Sequence, residues 1–229
     1  MKRNKTIFWD VDTQFDFMKR QGALYVPGAE EIIDKVSEVR RFASENGYSI
    51  LADVDWHRLD NPEISEQPDM KTTFPPHCMA GTPGAERVGD LGRVPIDYIE
   101  IEEVDLARLR KLVQKDLFHI VIRKQNLNVF DNPNTHKLVD LIRPKHVIAF
   151  GVALDCCVYY VLRELSKHEG VKLSLLTDAT KGLHARPDED VYEELRQRGV
   201  EITTFDQMKE QLSVDGSQLT VVSESSTEN

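Results

Sequence analysis

The chain has 229 residues and a formal net charge of −10, with 40% hydrophobic and 30% charged residues. This composition is typical of a soluble globular protein, and the length fits one large domain. Acidic residues predominate along most of the chain and no lysine- or arginine-rich stripe occurs, so nucleic acid is not expected as a partner.

The sequence also argues against a membrane protein and against a disulfide-bonded one. No run of eighteen apolar residues occurs, so we expect no membrane span. Residues 1–12 pass from a charged start into a short apolar run ending in acids, which favours a strand over a signal peptide. The three cysteines Cys78, Cys156 and Cys157 are an odd number and two are adjacent, which favours a reducing, cytoplasmic location. The sequence leaves open whether the chain forms a homo-oligomer.

Strands and helices are predicted to alternate along the chain. Apolar runs predict strands at 6–11, 48–54, 118–123, 146–152, 171–177 and 201–205, with a further short strand at 98–101. Helical spacing or helix start and stop signals predict helices at 30–46, 106–115, 134–142, 157–168 and 188–198. Such alternation predicts an α/β fold with a mostly parallel sheet covered on both faces.

The predicted domain covers residues 1–212. The tail from 213 to 229 is rich in Ser, Thr and Glu, so we expect it to be disordered, with residues 219–222 (LTVV) as an alternative edge strand.

Reactive side chains follow several of the predicted strands. Asp12 follows the first strand, Asp55 and His57 the second, Lys124 the strand at 118–123, and Cys157 the strand at 146–152. Ligands of open parallel sheets bind beyond the carboxyl ends of the strands. The sequence therefore predicts a functional site at this edge.

Cys157 is a candidate nucleophile because it begins a predicted helix. The helix dipole and the free N–H groups of the first turn favour a thiolate and can hold an oxyanion. Lys124 can supply a positive charge and Asp12 a proton transfer. The alternatives are that Cys156 and Cys157 are small core residues, that Asp12 caps a turn and that Lys124 is a solvated surface lysine.

A second candidate is a metal site. Two histidines and two carboxylates lie in or beside the irregular stretch 55–93: Asp55, His57, Glu63 and His77. Together they form a reasonable ligand set for zinc, iron or manganese. Their spacing is irregular, so solvated histidines in a polar loop remain the alternative.

Four segments resemble the isochorismatase-like cysteine hydrolases, and the nicotinamidase/pyrazinamidase branch in particular. They are residues 11–17 (VDTQFDF), 55–57 (DWH), 75–86 (PPHCMAGTPGAE) and 151–158 (GVALDCCV), which are similar to the motifs VDxQxDF, DxH, PPHCxxGTxGAE and GVATDxCV. The resemblance covers about residues 5–210.

The resemblance implies a three-layer α/β/α fold with a six-stranded, mostly parallel sheet. It implies a catalytic triad of Asp12, Lys124 and Cys157, because the motif cysteine matches Cys157. It further implies a cis peptide between Val152 and Ala153, and an oxyanion hole formed by the backbone N–H groups of Ala153 and Cys157.

The resemblance also implies one divalent metal ion, with zinc favoured over iron or manganese, and a wall for the substrate ring. The implied metal ligands are Asp55, His57, Glu63 and His77, and the implied substrate-binding residues are Phe17 and Phe74.

Three features depart from the family pattern. Glu63 stands where many relatives have histidine, which leaves the metal identity open. Phe74 replaces a usual tryptophan before PPHC. After Lys124, residues 125–131 (QNLNVFD) replace a glycine and a Tyr-Ser-Gly-Phe stretch that lines the pocket in relatives, which leaves the exact substrate open.

The expected function is a metal-assisted cysteine amidohydrolase that converts nicotinamide to nicotinate and ammonia through a thioester, in pyridine nucleotide (NAD) salvage. The expected partner is therefore a small amide. The alternatives are a related hydrolase acting on another small amide or a vinyl ether, and a non-catalytic, metal-binding member of the fold.

Overall fold

The computed structural model describes the chain from residue 5 to residue 224, with side chains described as far as residue 214. Within this part of the chain, seven strands form one sheet in the order β3-β4-β2-β1-β5-β6-β7, and every neighbouring pair is parallel. The strands are β1 (Thr6–Val11), β2 (Ser49–Asp55), β3 (Ile96–Ile99), β4 (His119–Lys124), β5 (His146–Val152), β6 (Lys172–Lys181) and β7 (Val200–Thr203).

The predicted α/β fold is confirmed, but the expected count of six strands is wrong. The sheet has a seventh strand because β3 pairs with β4 along its whole length, from Ile96 opposite His119 to Ile99 opposite Ile122. β3 has only four residues and lies at the edge of the sheet, where its side chains are mostly half-buried or exposed. A short edge strand of this kind leaves a weak apolar pattern in the sequence.

Helices cover both faces of the sheet, which confirms the three-layer arrangement. The helices are α1 (Phe15–Met18), α2 (Ile33–Glu45), α3 (Leu106–Val113), α4 (Pro133–Ile142), α5 (Tyr159–Leu165), α6 (Asp188–Gln197) and α7 (Phe205–Glu224). One core cluster joins strand side chains to apolar residues of α3, α4, α5 and α6, and the other joins them to residues of α1, α2 and α7. None of the helices in residues 5–224 is long and apolar enough to cross a bilayer.

The structure has a C-terminal helix, α7, that was not predicted from the sequence. Residues 213–224 of the expected tail belong to α7, so the expected edge strand at 219–222 is not formed. Extending an established helix costs far less than starting one, and no proline interrupts this segment. Residues 225–229 of the expected tail lie outside the described residues.

A buried ion cluster fastens α2 to the central strand β1. Arg40 of α2 donates from Nε to Asp10 of β1 at 2.6 Å, and Arg87 also contacts the Asp10 carboxylate. Arg40 Nη1 donates to the Val88 carbonyl at 2.6 Å. Burial alone would raise the pKa of Asp10, but the two guanidinium groups outweigh it and hold the pKa well below its usual value. The cluster therefore joins β1, α2 and the segment around residue 87.

Replacing Asp10 by asparagine should lower the free energy of unfolding by about 3–5 kcal/mol, because two buried guanidinium groups lose the carboxylate that neutralises them. Urea unfolding followed by circular dichroism measures the change. The matched control is Glu189→Gln, which removes a surface partner of Arg196 and should change stability by less than about 1 kcal/mol. An equally small change for Asp10→Asn would contradict the stabilising role of the cluster.

Candidate active site

The structure brings the three expected catalytic side chains together at the carboxyl ends of the strands. Lys124, the last residue of β4, places Nζ 2.9 Å from Asp12 Oδ2 and 3.6 Å from Cys157 Sγ. The same ammonium group contacts the Asp55 carboxylate at the end of β2. All four side chains are buried, so these contacts form away from bulk water.

Gln14 fixes the ends of β1 and β2 relative to each other. Its side-chain amide donates to the carbonyls of Asp55 (2.8 Å) and Ala85 (2.9 Å), and its Oε1 accepts from the Asp55 N–H (2.8 Å). Asp12 adopts a left-handed conformation (φ 48°), and its own N–H donates to the Asp53 carbonyl. No role was predicted for Gln14. The sequence signal that could have identified it is its position as the glutamine of the motif VDxQxDF at residues 11–17.

Cys157 lies in an irregular turn rather than at the first position of a regular helix. The segment Leu154–Val158 forms a wide, π-type turn before α5, and Cys156 within it has non-helical angles (φ −128°, ψ −106°). The N–H groups of Cys156 and Val158 both donate to the Ala153 carbonyl, at 3.0 and 3.1 Å. The turn follows the end of β5 and presents the Cys157 side chain to Lys124 at the end of β4.

The peptide between Val152 and Ala153 is cis, as the resemblance implied. Both Ala153 and Cys157 line the cavity in front of the sulfur. The role of their N–H groups as an oxyanion hole stays a prediction.

Burial opposes the thiolate that was expected at Cys157. Burial raises the pKa of the Cys157 thiol well above its usual value, and the opposing effect of Lys124 is not sufficient to offset it. Burial likewise raises the pKa of Asp12, against the effect of Lys124. For Lys124 burial opposes the charge, but Asp12 and Asp55 outweigh it and raise its pKa.

The four expected metal ligands also converge. One ligand atom from each of them lies within 4.8 Å of the others, and all four residues are buried: Asp55, His57, Glu63 and His77. Asp55 Oδ2 lies 3.4 Å from Nε2 of His57 and 3.4 Å from Nε2 of His77. Glu63 reaches the cluster from the loop after β2.

The polar atoms of this cluster fit a divalent cation. His77 Nδ1 lies 2.7 Å from the Pro75 carbonyl, and donation to that carbonyl leaves the lone pair on Nε2, as in many metal-bound histidines. Among the described residues, neither ring nitrogen of His57 nor Glu63 Oε1 has a hydrogen-bond partner. Burial and the nearby Asp55 raise the pKa of Glu63 to about 7. A cation would neutralise these carboxylates and use the unpaired atoms.

A small cavity lies in front of the triad. Phe17 and Phe74 both line it, as expected, and their ring centroids lie 5.4 and 6.1 Å from that of His77. Sequence reasoning missed the remaining apolar part of the wall: Leu24, Val26, Leu127, Cys156 and Leu183. Leu127 belongs to residues 125–131, the segment that departs from the family pattern, so this segment reaches the cavity.

Comparison with known proteins assigns the chain and its fold to one family. The isochorismatase domain model matches residues 101–207. The crystal structure of the Pyrococcus horikoshii pyrazinamidase in complex with zinc is 30% identical, with a TM-score of 0.67, and the match covers 88% of this chain and 99% of that one. The nicotinamidase/pyrazinamidase of Mycobacterium tuberculosis is 25% identical over 195 residues, which is 84% of this chain and 95% of that protein. The nicotinamidase of Saccharomyces cerevisiae is 24% identical over 216 residues, with coverage of 84% and 96%.

The match to the Pyrococcus protein spans nearly all of that chain, and the domain model covers the region that contains Lys124 and Cys157. The chain therefore belongs to the isochorismatase family of hydrolases, among its nicotinamidase/pyrazinamidase-like members.

Proposed function

We propose that the protein is a metal-assisted cysteine amidohydrolase that converts nicotinamide to nicotinate and ammonia through a thioester. The observation that carries this proposal is Lys124 Nζ lying within 3.6 Å of both Asp12 and Cys157, two residues that line a small cavity. The similar nicotinamidase/pyrazinamidase of Mycobacterium tuberculosis and nicotinamidase of Saccharomyces cerevisiae support the choice of amide. Such a reaction serves pyridine nucleotide salvage in the cytoplasm.

The reaction begins with a proton transfer from sulfur to carboxylate. Lys124 lies beside both Asp12 and Cys157, and burial raises the pKa of Asp12, which makes that carboxylate a stronger base than an exposed one. Asp12 takes the thiol proton, Lys124 stabilises the thiolate, and the sulfur attacks the carboxamide carbon. The N–H groups of Ala153 and Cys157 stabilise the tetrahedral oxyanion.

The same carboxyl group then serves each later step. Asp12 returns the proton to the amide nitrogen, the C–N bond breaks, and ammonia leaves behind a thioester on Cys157. A water molecule gives a proton to Asp12 as it attacks the thioester carbon. The C–S bond breaks, nicotinate is released, and the proton on Asp12 restores the thiol.

The remaining side chains bind and orient the ring. A divalent ion, zinc in the first instance, would be held by Asp55, His57, Glu63 and His77 and would supply a positive charge and a coordination position for the ring nitrogen. Phe17 and Phe74 pack against the ring and exclude water from the reacting carbon.

One observation favours a second substrate class on the same mechanism. Leu127 and Leu183 give the cavity an aliphatic wall, and Leu127 comes from the segment that departs from the family pattern. A bulkier or more apolar amide, or a vinyl ether, is the alternative substrate. A panel of carboxamides assayed for ammonia separates these alternatives.

Replacing Cys157 by alanine should reduce ammonia release from nicotinamide by at least about a thousandfold, because no other sulfur contacts Lys124 among the described residues. Zinc binding should survive, since the metal ligands lie on other segments. The adjacent Cys156→Ala variant should stay within about tenfold of the wild-type rate. Wild-type turnover in Cys157→Ala would exclude the mechanism.

Replacing His57 by alanine should weaken zinc binding by more than about a hundredfold, because a buried ligand is removed. Elemental analysis after dialysis, and competition with a chromogenic chelator, measure the loss. His184→Ala is the matched control, since His184 is exposed and pairs with Asp188 outside the cluster. Equal zinc content in both variants and the wild type would show that the four side chains do not form the metal site.

Benzamide, which lacks the ring nitrogen, should be hydrolysed with a kcat/KM at least about tenfold below that of nicotinamide. The reason is that nothing on the benzamide ring can use the cation near Asp55. The comparison uses the same ammonia assay on the zinc-loaded enzyme. Equal kcat/KM values for the two amides would show that the enzyme does not recognise the ring nitrogen.

A further inference from the structure

Trp56 and Arg123 lie on the outer face of the sheet, directly behind the site. Asp55 ends β2 and Lys124 ends β4, and the two residues are paired across the strands. Their chain neighbours, Trp56 and Arg123, point to the opposite face, because successive side chains of a strand alternate. Val54 is paired with Arg123, and Trp56 lies two residues beyond Val54 on the same face.

The two outer side chains are stacked. The Arg123 guanidinium carbon lies 3.8 Å from the centroid of the Trp56 ring and 4.8 Å from that of Tyr98 on β3. Its Nη1 donates to both oxygens of the Glu100 carboxylate, at 2.7 and 2.8 Å. A guanidinium between two rings and a carboxylate is fixed in orientation as well as in position.

Backbone hydrogen bonds transmit this fixed position to the site. The Trp56 N–H donates to the Lys124 carbonyl at 2.8 Å, so the ends of β2 and β4 remain paired one residue beyond Asp55. Asn132 Nδ2 donates to the carbonyls of Arg123 (2.8 Å) and Glu100 (3.0 Å). Trp56 itself lies between the ligands Asp55 and His57, so a rotation of Trp56 would move both.

We infer that Arg123 and Trp56 are positioning residues, whose stacking behind the sheet sets the spacing of Asp55 and His57 against Lys124 and thereby the affinity for the divalent cation. This inference rests on the metal site of the proposed function. It assigns no contact with substrate to either residue. Supporting groups of this kind typically change metal affinity by about 10–100-fold.

The test measures zinc affinity by chelator competition in conservative variants. Arg123→Lys keeps the charge but loses the planar group that stacks, and Trp56→Leu keeps an apolar side chain but loses the ring. Each should weaken zinc binding by about tenfold. Trp56→Phe keeps an aromatic face and should restore most of the affinity. The double variant Arg123→Lys with Trp56→Leu should lose little more than either single variant, because both remove the same contact.

A matched control separates positioning from general stability. Arg163 of α5 stacks over Tyr160 with a separation of 4.6 Å between guanidinium carbon and ring centroid, away from the cavity. Arg163→Lys should leave zinc affinity unchanged, whatever it does to the thermal midpoint. Wild-type affinity in Arg123→Lys and Trp56→Leu, or simply additive losses in the double variant, would overturn the inference. If the wild-type protein itself bound no zinc, the metal part of the proposed function would fail as well.

Discussion

The buried ammonium group of Lys124 holds the site together. Moving a lysine side chain out of water costs several kcal/mol unless negative groups surround it, and here Asp12 and Asp55 do so from two neighbouring strands. Neither carboxylate would be stable in this interior without the ammonium group. The three strand ends that carry Asp12, Asp55 and Lys124 are therefore fixed relative to one another by charge as well as by the sheet.

The charges at this edge do not balance with Lys124 alone. Asp12, Asp55 and Glu63 are three acidic groups around one ammonium group, and burial, with a smaller effect of the neighbouring Asp55 carboxylate, raises the pKa values of Asp12 and Glu63. Two histidines whose ring nitrogens face the same point complete a ligand set for a cation. The charge excess and the donor geometry thus both support the proposed divalent ion beside the triad.

Much of this site could be predicted because parallel strands end at one edge and apolar runs mark those ends. Asp12, Asp55, Lys124 and Cys157 were found in this way. Glu63 and His77 were candidates from their residue types, but their irregular loop spacing carries little information alone, and the resemblance strengthened them. A short strand was predicted at 98–101, which overlaps β3 (Ile96–Ile99), but the resemblance implied only six strands. The effect of burial on the pKa of Cys157 was not predictable, because burial depends on how distant segments pack around the sulfur.

The depth of the sulfur has a chemical consequence. Cys157 is only 5% exposed and burial raises the pKa of its thiol, so in the proposed mechanism the nucleophile is formed by a proton transfer to Asp12 rather than stored as a free thiolate. A stored thiolate would be open to oxidation and alkylation, whereas a buried thiol is protected until a ring fills the cavity. The cavity is lined by the aliphatic side chains of Leu127 and Leu183 as well as by the acidic side chains of Asp12, Asp55 and Glu63. A substrate with a polar edge and an apolar edge can bind with low free energy in only one orientation, and that orientation decides which of its carbons the sulfur reaches.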